Sequence, residues 1–336
     1  MDTAVIHLED GVNGYVDLVT HVLNNGKEVS PRGKKTLEIE DAVITIDNIY
    51  NTLPLGVSRG TVAGIGAVEA CQLLSGTTYP QLVIGIGPQF SNYVENNGFF
   101  HGAYGPRTRG QYDVMIDRLK ADPSSRQAVV TIWNPQWDLQ DSKKDYPCTI
   151  LHQFRIRDDK LNMSVYMRSN DVWLGSAYDF FQFTRVQLAM ASVLGIEPGT
   201  YAHHVGSLHL YEEHFEMAEA LQYTDKDKIE KIPAITGRSW REVEASSLLA
   251  IQATMDNSLL PRLSESERWY ADAMNKALEK TREKYTQMAY DQAQQQAEQQ
   301  GDNVVYSFTP DQVVVEDVPE SEVPAHIVEA HKSEQE

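Results

Sequence analysis

The sequence predicts an α/β protein in which a mixed sheet is flanked by helices and followed by a C-terminal helical extension. Three observations carry this expectation. Runs that read as strands, the β-branched 128–133 and the hairpin strand 161–168, alternate with runs of helical periodicity, such as 61–75 and 178–194. A capping box, Ser264-Glu265-Ser266-Glu267, opens a long amphipathic pattern near the C-terminus. At 336 residues with 41% hydrophobic content, the chain is long enough to bury a sizeable core.

In chain order, residues 1–25 read as an N-terminal helix with Val16, Leu18, Val19, Val22 and Leu23 on its apolar side. Residues 29–36 form a Pro/Gly loop carrying Arg32, Lys34 and Lys35, and 38–44 a strand. Such a loop can wrap a phosphate with backbone N–H groups and a guanidinium, or it can be a solvated turn. Residues 61–75 read as a helix whose apolar pattern contains Glu69; a buried carboxyl there would imply a role, because burial is unfavourable without a partner. Cys71, on the same helix, reads as a small core residue.

Residues 98–110 are loop-like, aromatic and basic, and helix resumes over 111–120. A turn at 122–127 leads into the strand 128–133, and a polar loop over 135–144 delivers the chain to Cys148. Residues 150–156 and 161–168 read as a hairpin around Arg157-Asp158-Asp159-Lys160. Helix is expected over 178–194, ending at Gly195, and strand over 201–211. Three segments follow from this: a main α/β domain over 1–215, a helical extension over 216–300, and an acidic tail over 301–336. The tail holds nine Asp and Glu against one Lys and is expected to be disordered.

Bulk properties exclude several classes. The net charge of −19 argues against non-specific DNA binding, which needs surplus Lys and Arg. Apolar runs fall short of the ~20 residues that span a bilayer, and the N-terminus lacks the basic and apolar regions of a secretory signal. Two cysteines are no disulfide framework. A cytoplasmic protein is expected, in a host cytoplasm if the source is viral.

The chemistry concentrates between Asp145 and His214. Cys148 follows Pro147 at a strand start; a lone Cys is commonly a core residue, but a nucleophilic one needs a cation to favour its thiolate. Arg168, beside Ser169 at the end of the second hairpin strand, is placed to supply that field, or to sit in a surface ion pair. Asp179 immediately precedes an apolar helix and so reads either as its N-cap or as a functional acid.

Taken together, Arg126, Trp133-Asn134, Pro147-Cys148, Gln153-Phe154, Arg168-Ser169-Asn170-Asp171, Leu174-Gly175, His204, Gly206, His209 and Tyr211 resemble the thymidylate synthase family over roughly residues 15–215. Within it the chain is most similar to the phage enzymes that hydroxymethylate deoxycytidylate, through Met167 to Asp171 and Val205 to His209. Where synthases acting on deoxyuridylate place Asn, this chain has Asp179, a carboxyl suited to the exocyclic amine and N3 of cytosine.

The resemblance implies a thymidylate synthase-like fold, a homodimer, 5,10-methylenetetrahydrofolate as co-substrate and no metal. It implies that Cys148 adds to C6 of the pyrimidine, with Glu69 organising water and proton transfers and Tyr104 linked to C5 deprotonation. Arg32, Arg126, Arg168 and Ser169 correspond to the phosphate cage, with Arg126 crossing to the partner subunit. Asn170 joins Asp179 in the substrate site, His209 and Tyr211 correspond to the sugar pair, and Asp171 and Gly175 lie on the folate side. Three departures stand out: Gln127 where a second arginine is usual, Thr149 in place of the His after the nucleophile, and no evident closing C-terminal segment. The implied product is 5-hydroxymethyl-dCMP. The rivals are 5-methyl-dCMP, a CMP substrate, and an idle member of the family that binds nucleotide or RNA as a regulator.

Overall fold

The computed structural model describes residues 3–139, 143–222, 231–300, 306–309 and 312–315. In order these form β1 (Ala4–Asp10), α1 (Asn13–Asn25), β2 (Lys27–Val29), β3 (Thr36–Asn48), α2 (Ala63–Ser75), α3 (Pro80–Ile86), α4 (Tyr104–Thr108), α5 (Gln111–Ala121), β4 (Ala128–Thr131) and α6 (Pro135–Asp138). They continue with β5 (Thr149–Arg157), β6 (Lys160–Met167), β7 (Asn170–Asp171), α7 (Ser176–Leu194), β8 (Glu197–Tyr211), α8 (Phe215–Glu219), α9 (Trp240–Met255), α10 (Glu265–Gln300), β9 (Tyr306–Thr309) and β10 (Gln312–Val315).

The sheet runs β1-β3-β8-β6-β5-β4, with β2 on β3 and β7 on β8. It is mixed: β1 is parallel to β3 and β6 to β8, whereas β3/β8, β5/β6 and β4/β5 are antiparallel. Along β5, β6 and β8 the buried His152, Phe154, Met163, Val165, Tyr201 and His203 face the helix α7. This is the α/β architecture expected. The β5/β6 turn is made by Asp158 and Asp159, both at positive φ (50° and 56°), the backbone a two-residue hairpin turn requires.

Three expectations are corrected. The loop-like 98–110 contains the short helix α4. The N-terminal stretch is not one helix: Ala4–Asp10 is a strand, fixed by parallel pairing of Ala4 to Ala42 through Asp10 to Asn48. Such non-local pairing is invisible to local periodicity. The Asp10 carboxylate then accepts from the Val12 and Asn13 amides at 2.8 and 2.7 Å and starts α1. The 135–144 loop contains the short helix α6, whose Asn134 side chain accepts from Gln136 N at 2.9 Å.

The capping box closes reciprocally: Ser264 N donates to Glu267 Oε2 at 2.7 Å, and Glu267 N to Ser264 Oγ at 3.3 Å. One compact unit runs from Met1 to Leu278, and Glu279–Glu336 forms a second. Of the acidic tail, only β9 and β10 are described, paired antiparallel; its other residues lie outside the described ones.

Within the first unit, Trp240, Val243, Tyr270 and Met274 belong to the same core as the sheet. The α10 backbone presses on α2 so closely that a Cβ at Gly64 would meet the Ala273 carbonyl at 2.8 Å. Arg185 of α7 ties the pieces together. Fully buried, it donates to Ile49 O at 2.8 Å, Tyr50 O at 3.1 Å and Ile232 O at 3.1 Å, and lies 4.9 Å from the Phe181 ring. Arg185→Met keeps the bulk but leaves those carbonyls without a donor, an expected loss of about 3 kcal/mol. Urea denaturation of the full chain checks this, and an unchanged midpoint contradicts it.

Candidate active site

Strand register brings the central residues together. Thr149 at the start of β5 pairs with Met167 at the end of β6, and Arg168 N donates to Cys148 O at 2.9 Å. Thiol and guanidinium therefore leave adjacent strand ends. Arg168 Nε donates to Pro147 O at 3.1 Å, and Nη2 to Tyr146 O at 3.2 Å and to Cys148 Sγ at 3.6 Å. The guanidinium also lies 5.9 Å from the Trp133 ring. The expectation that Arg168 sets the thiol in a positive field holds only in part. Burial pushes the Cys148 pKa up, Arg168 pulls it down, and Asp179, Asp145 and Asp171 push it up again, leaving it above its ordinary value.

Facing the thiol is a buried carboxyl cluster. Asp179 is not the N-cap of α7: that position is Gly175, and Asp179 N already makes a helical bond to Gly175 O at 3.0 Å. Its side chain is 7% exposed and points inward. Asn170 Nδ2 donates to Oδ2 at 2.7 Å, and Gln182 Nε2 to Oδ1 at 3.1 Å. Burial pushes the Asp179 pKa up to about 7 against the pull of those two amides. Glu69 keeps some accessible surface, yet protein atoms surround its carboxyl deep in the cleft. Burial, then the neighbouring Asp179, raises it to about 8. Gln182 Nε2 reaches Glu69 Oε2 at 3.4 Å and so bridges the two acids.

Tyr104 stacks on Phe183 with centroids 6.0 Å apart, and burial, Asp179 and Cys148 raise its pKa well above the phenol value. Beside it the buried Thr149 hydroxyl has no well-aligned partner among the described residues. Asn170, placed in the substrate site by sequence, is turned inward: 3% exposed, it accepts on Oδ1 from Ser176 Oγ at 2.6 Å and from His203 Nε2 at 3.2 Å. Gly175 lies against the same group, where a Cβ would meet Asn170 Nδ2 at 3.1 Å and Asp179 Oδ2 at 3.2 Å.

The other candidates lie around this centre. Asp171 pairs with His209 across β7/β8, and its Oδ1 accepts from Trp173 N at 2.8 Å and Leu174 N at 3.0 Å. His209 packs edge-on against Tyr211 at 5.1 Å, and its Nδ1 lies 3.2 Å from Ser207 O. Pairing of Thr36 with Tyr211 brings the basic loop to the same place, with Lys34 Nζ 5.4 Å from the Tyr211 ring. Arg32 is exposed in that loop at φ 54°. Ser169 is half-buried beside Arg168. Arg126 stands apart, exposed on the opposite face of the sheet, in a concavity of about 440 Å³ shared with Gln153, Arg155 and Arg157.

Sequence reasoning missed several contributors. Arg59 donates to Trp173 O at 2.7 Å and Leu174 O at 3.4 Å and stacks 5.0 Å from Tyr178, so it clamps the turn that holds Asp171. Arg107 of α4 and Asp138 of α6 form a bidentate pair at 2.8 Å ahead of Cys148 in the chain, and His101 joins Asp138 at 2.9 Å. Gln182 was legible as the residue one helical turn after Asp179. Arg59 and Arg107 carry no local signal, because their partners are backbone carbonyls or a residue distant in sequence. A cavity of about 310 Å³ lined by Phe100, Arg107, Trp137 and Lys143 lies beside the Arg107 pair rather than over Cys148. Among the described residues no group of three or more His, Cys, Asp or Glu could hold a metal ion, and no helix is long and apolar enough to cross a membrane.

The chain belongs to the thymidylate synthase family, whose model matches residues 13–248. It is 31% identical over 214 residues to the deoxyuridylate hydroxymethyltransferase of Bacillus phage SP01, a match covering 59% of this chain and 56% of that protein. The chain thus spans little more than half the length of this relative.

The carboxyl cluster has a measurable consequence for stability. Glu69 binds its proton with a pKa of about 8 when folded, against an ordinary 4.5, and Asp179 with about 7 against 3.8. Between those limits the native state holds protons that the unfolded state has released, so stability falls as pH rises from about 4 to about 8. In urea titrations of the nucleotide-free protein, a Glu69→Gln/Asp179→Asn double variant is expected to show a flatter decline than the wild type. Parallel curves contradict the assignment.

Proposed function

We propose that this member of the thymidylate synthase family converts dCMP to 5-hydroxymethyl-dCMP with 5,10-methylenetetrahydrofolate. The observation that carries the reading is the approach of the Arg168 guanidinium to the Cys148 sulfur, at 3.6 Å, near enough to the buried Asp179–Gln182–Glu69 cluster for Asp179 to act on the thiol. The Arg168 guanidinium offsets part of the burial that disfavours the Cys148 thiolate, and a carboxyl with a pKa near neutrality can both accept and donate a proton.

Arg32, Arg168 and Ser169 hold the nucleotide phosphate, and His209 with Tyr211 the sugar hydroxyl. Asp179 accepts from the cytosine N4–H and, when protonated, donates to N3. The Cys148 thiolate forms a bond to C6, which makes C5 nucleophilic. The folate supplies a methylene at the oxidation level of formaldehyde, and Asp171 together with Gly175 faces the pterin. Proton loss from C5 on the Tyr104 side and departure of tetrahydrofolate leave an exocyclic methylene on the nucleotide. Water adds to that carbon, and the thiolate leaves C6. The similar phage SP01 protein is named a hydroxymethyltransferase, which supports water rather than hydride as the terminating reagent. The same reading carries a homodimer, in which Arg126 reaches from the exposed sheet face to the partner's nucleotide, and a cytoplasmic setting.

A second reading keeps the chemistry and changes the base. The similar phage SP01 protein is named for deoxyuridylate, which favours dUMP as substrate, and a protonated Asp179 can pair with uracil by donating to O4 and accepting from N3–H. Mass spectrometry of products from dCMP, dUMP and CMP separates the cases: gain of CH2O marks hydroxymethylation and gain of CH2 methylation. With 5-tritiated dCMP, Cys148→Ala is expected to lower tritium release about a thousandfold or more; equal slow release from both proteins contradicts the enzyme reading. Asp179→Asn is expected to move the dCMP/dUMP ratio of kcat/KM about a hundredfold toward dUMP; an unchanged ratio removes Asp179 from base selection.

A further inference from the structure

Behind Asp179 runs a buried polar chain that the reaction itself does not use. The Tyr201 hydroxyl lies 2.7 Å from His203 Nδ1, His203 Nε2 lies 3.2 Å from Asn170 Oδ1, and Asn170 Nδ2 lies 2.7 Å from Asp179 Oδ2. Tyr201 and His203 are fully buried and Asn170 is 3% exposed. Phe180 and Phe183 pack against the imidazole, at 5.1 and 6.3 Å, so the chain is sealed by apolar rings. Burial, with His204 and His152 nearby, pushes the His203 pKa down to about 3, so the ring is neutral and carries a single proton.

A neutral imidazole in this position allows two self-consistent directions for the chain. In one, Tyr201 donates to Nδ1, Nε2–H donates to Asn170 Oδ1, and the Asn170 amide donates to Asp179, which accepts. In the other, the imidazole proton sits on Nδ1, the Asn170 amide is flipped, and Asp179 must donate inward to Asn170. Tyr201 breaks the tie. Its oxygen has no bonded partner but His203 among the described residues, so the second direction leaves the phenolic proton buried without an acceptor. An unmet donor in such a place costs about 1–3 kcal/mol. Ser176 adds to the bias by donating to Asn170 Oδ1 at 2.6 Å.

We propose that Tyr201, His203 and Asn170 form a one-way hydrogen-bond chain that keeps Asp179 an acceptor toward the protein interior and so fixes which pyrimidine edge it presents to the cleft. On the function proposed above, these three are positioning residues for base selection and do not touch the nucleotide. With Oδ2 committed to accepting from Asn170, a proton that Asp179 binds is directed to Oδ1. With Oδ1 opposite N3 of the base, cytosine N3 takes that hydrogen bond while Oδ2 accepts from N4–H, and the N3–H of uracil is refused. With the chain reversed, the proton moves to Oδ2 and is spent inward, and the bare Oδ1 then repels cytosine N3 and accepts from uracil N3–H.

The test uses the full chain in two arms. In the first, 15N NMR of histidine-labelled protein reads the His203 tautomer at neutral pH, with the His203→Gln spectrum assigning its signals among the ten histidines. The wild type is expected to show the Nε2–H tautomer alone, and Tyr201→Phe a mixture. A wild-type Nδ1–H tautomer, an imidazolium, or a Tyr201→Phe spectrum identical to wild type overturns the proposal. In the second, the dCMP/dUMP ratio of kcat/KM is expected to fall about fivefold or more in Tyr201→Phe, a change that uniform destabilisation would not give. An unchanged ratio overturns the role in selection. A wild type inactive on every nucleotide defeats the proposed activity instead, and the tautomer arm then judges the chain by itself; should Tyr201→Phe fail to fold, the wild-type tautomer still decides.

Discussion

A carboxyl group sealed inside a protein must be given donors or keep its proton, and the site is arranged around that constraint at Asp179. Two amides, from Asn170 and Gln182, meet its two oxygens. They are not enough to restore the ordinary pKa of an aspartate, and the group rests near neutrality. Under the proposed function, that intermediate condition suits recognition of a ring bearing both a donor and an acceptor. Glu69, bridged to it through Gln182, shares the same environment.

The scaffold explains how such an arrangement is tolerated. α7 carries Asp179 and Gln182 on one turn and the buried Arg185 on the next, so one helix serves both the cleft and the packing behind it. The segments gripped by Arg185 lie far apart in the chain: the residues after β3 and the stretch before α9. α9 and the first turns of α10 share one core with the sheet. The C-terminal residues up to Leu278 are thus part of the structure that backs the site.

Much of this was readable from sequence. The hairpin 150–168, the helix after Gly175 and the reciprocal Ser264/Glu267 cap are local features, and local signals found them. The meeting of Cys148 and Arg168 follows from adjacent strand ends, whereas Asp179 comes from α7 and Glu69, whose role only the family resemblance assigned, from α2. What stayed hidden depends on distant partners. β1 is a strand because β3 lies beside it, and Asp179 escapes the N-cap role because α7 begins at Ser176. Asn170 looked like a substrate contact, yet its groups meet Ser176, His203 and Asp179, which no spacing rule announces.

The central claim is that the Cys148 sulfur bonds to C6 of a cytosine nucleotide while C5 takes the one-carbon unit. Fluorine at C5 blocks loss of the C5 substituent, so it would arrest the sequence with both bonds in place. The direct measurement is intact-protein and peptide mass spectrometry after incubation with 5-fluoro-dCMP and 5,10-methylenetetrahydrofolate. The account predicts a covalent adduct carrying both nucleotide and folate, located on the peptide containing Cys148. No adduct, or one located on another residue, would contradict it.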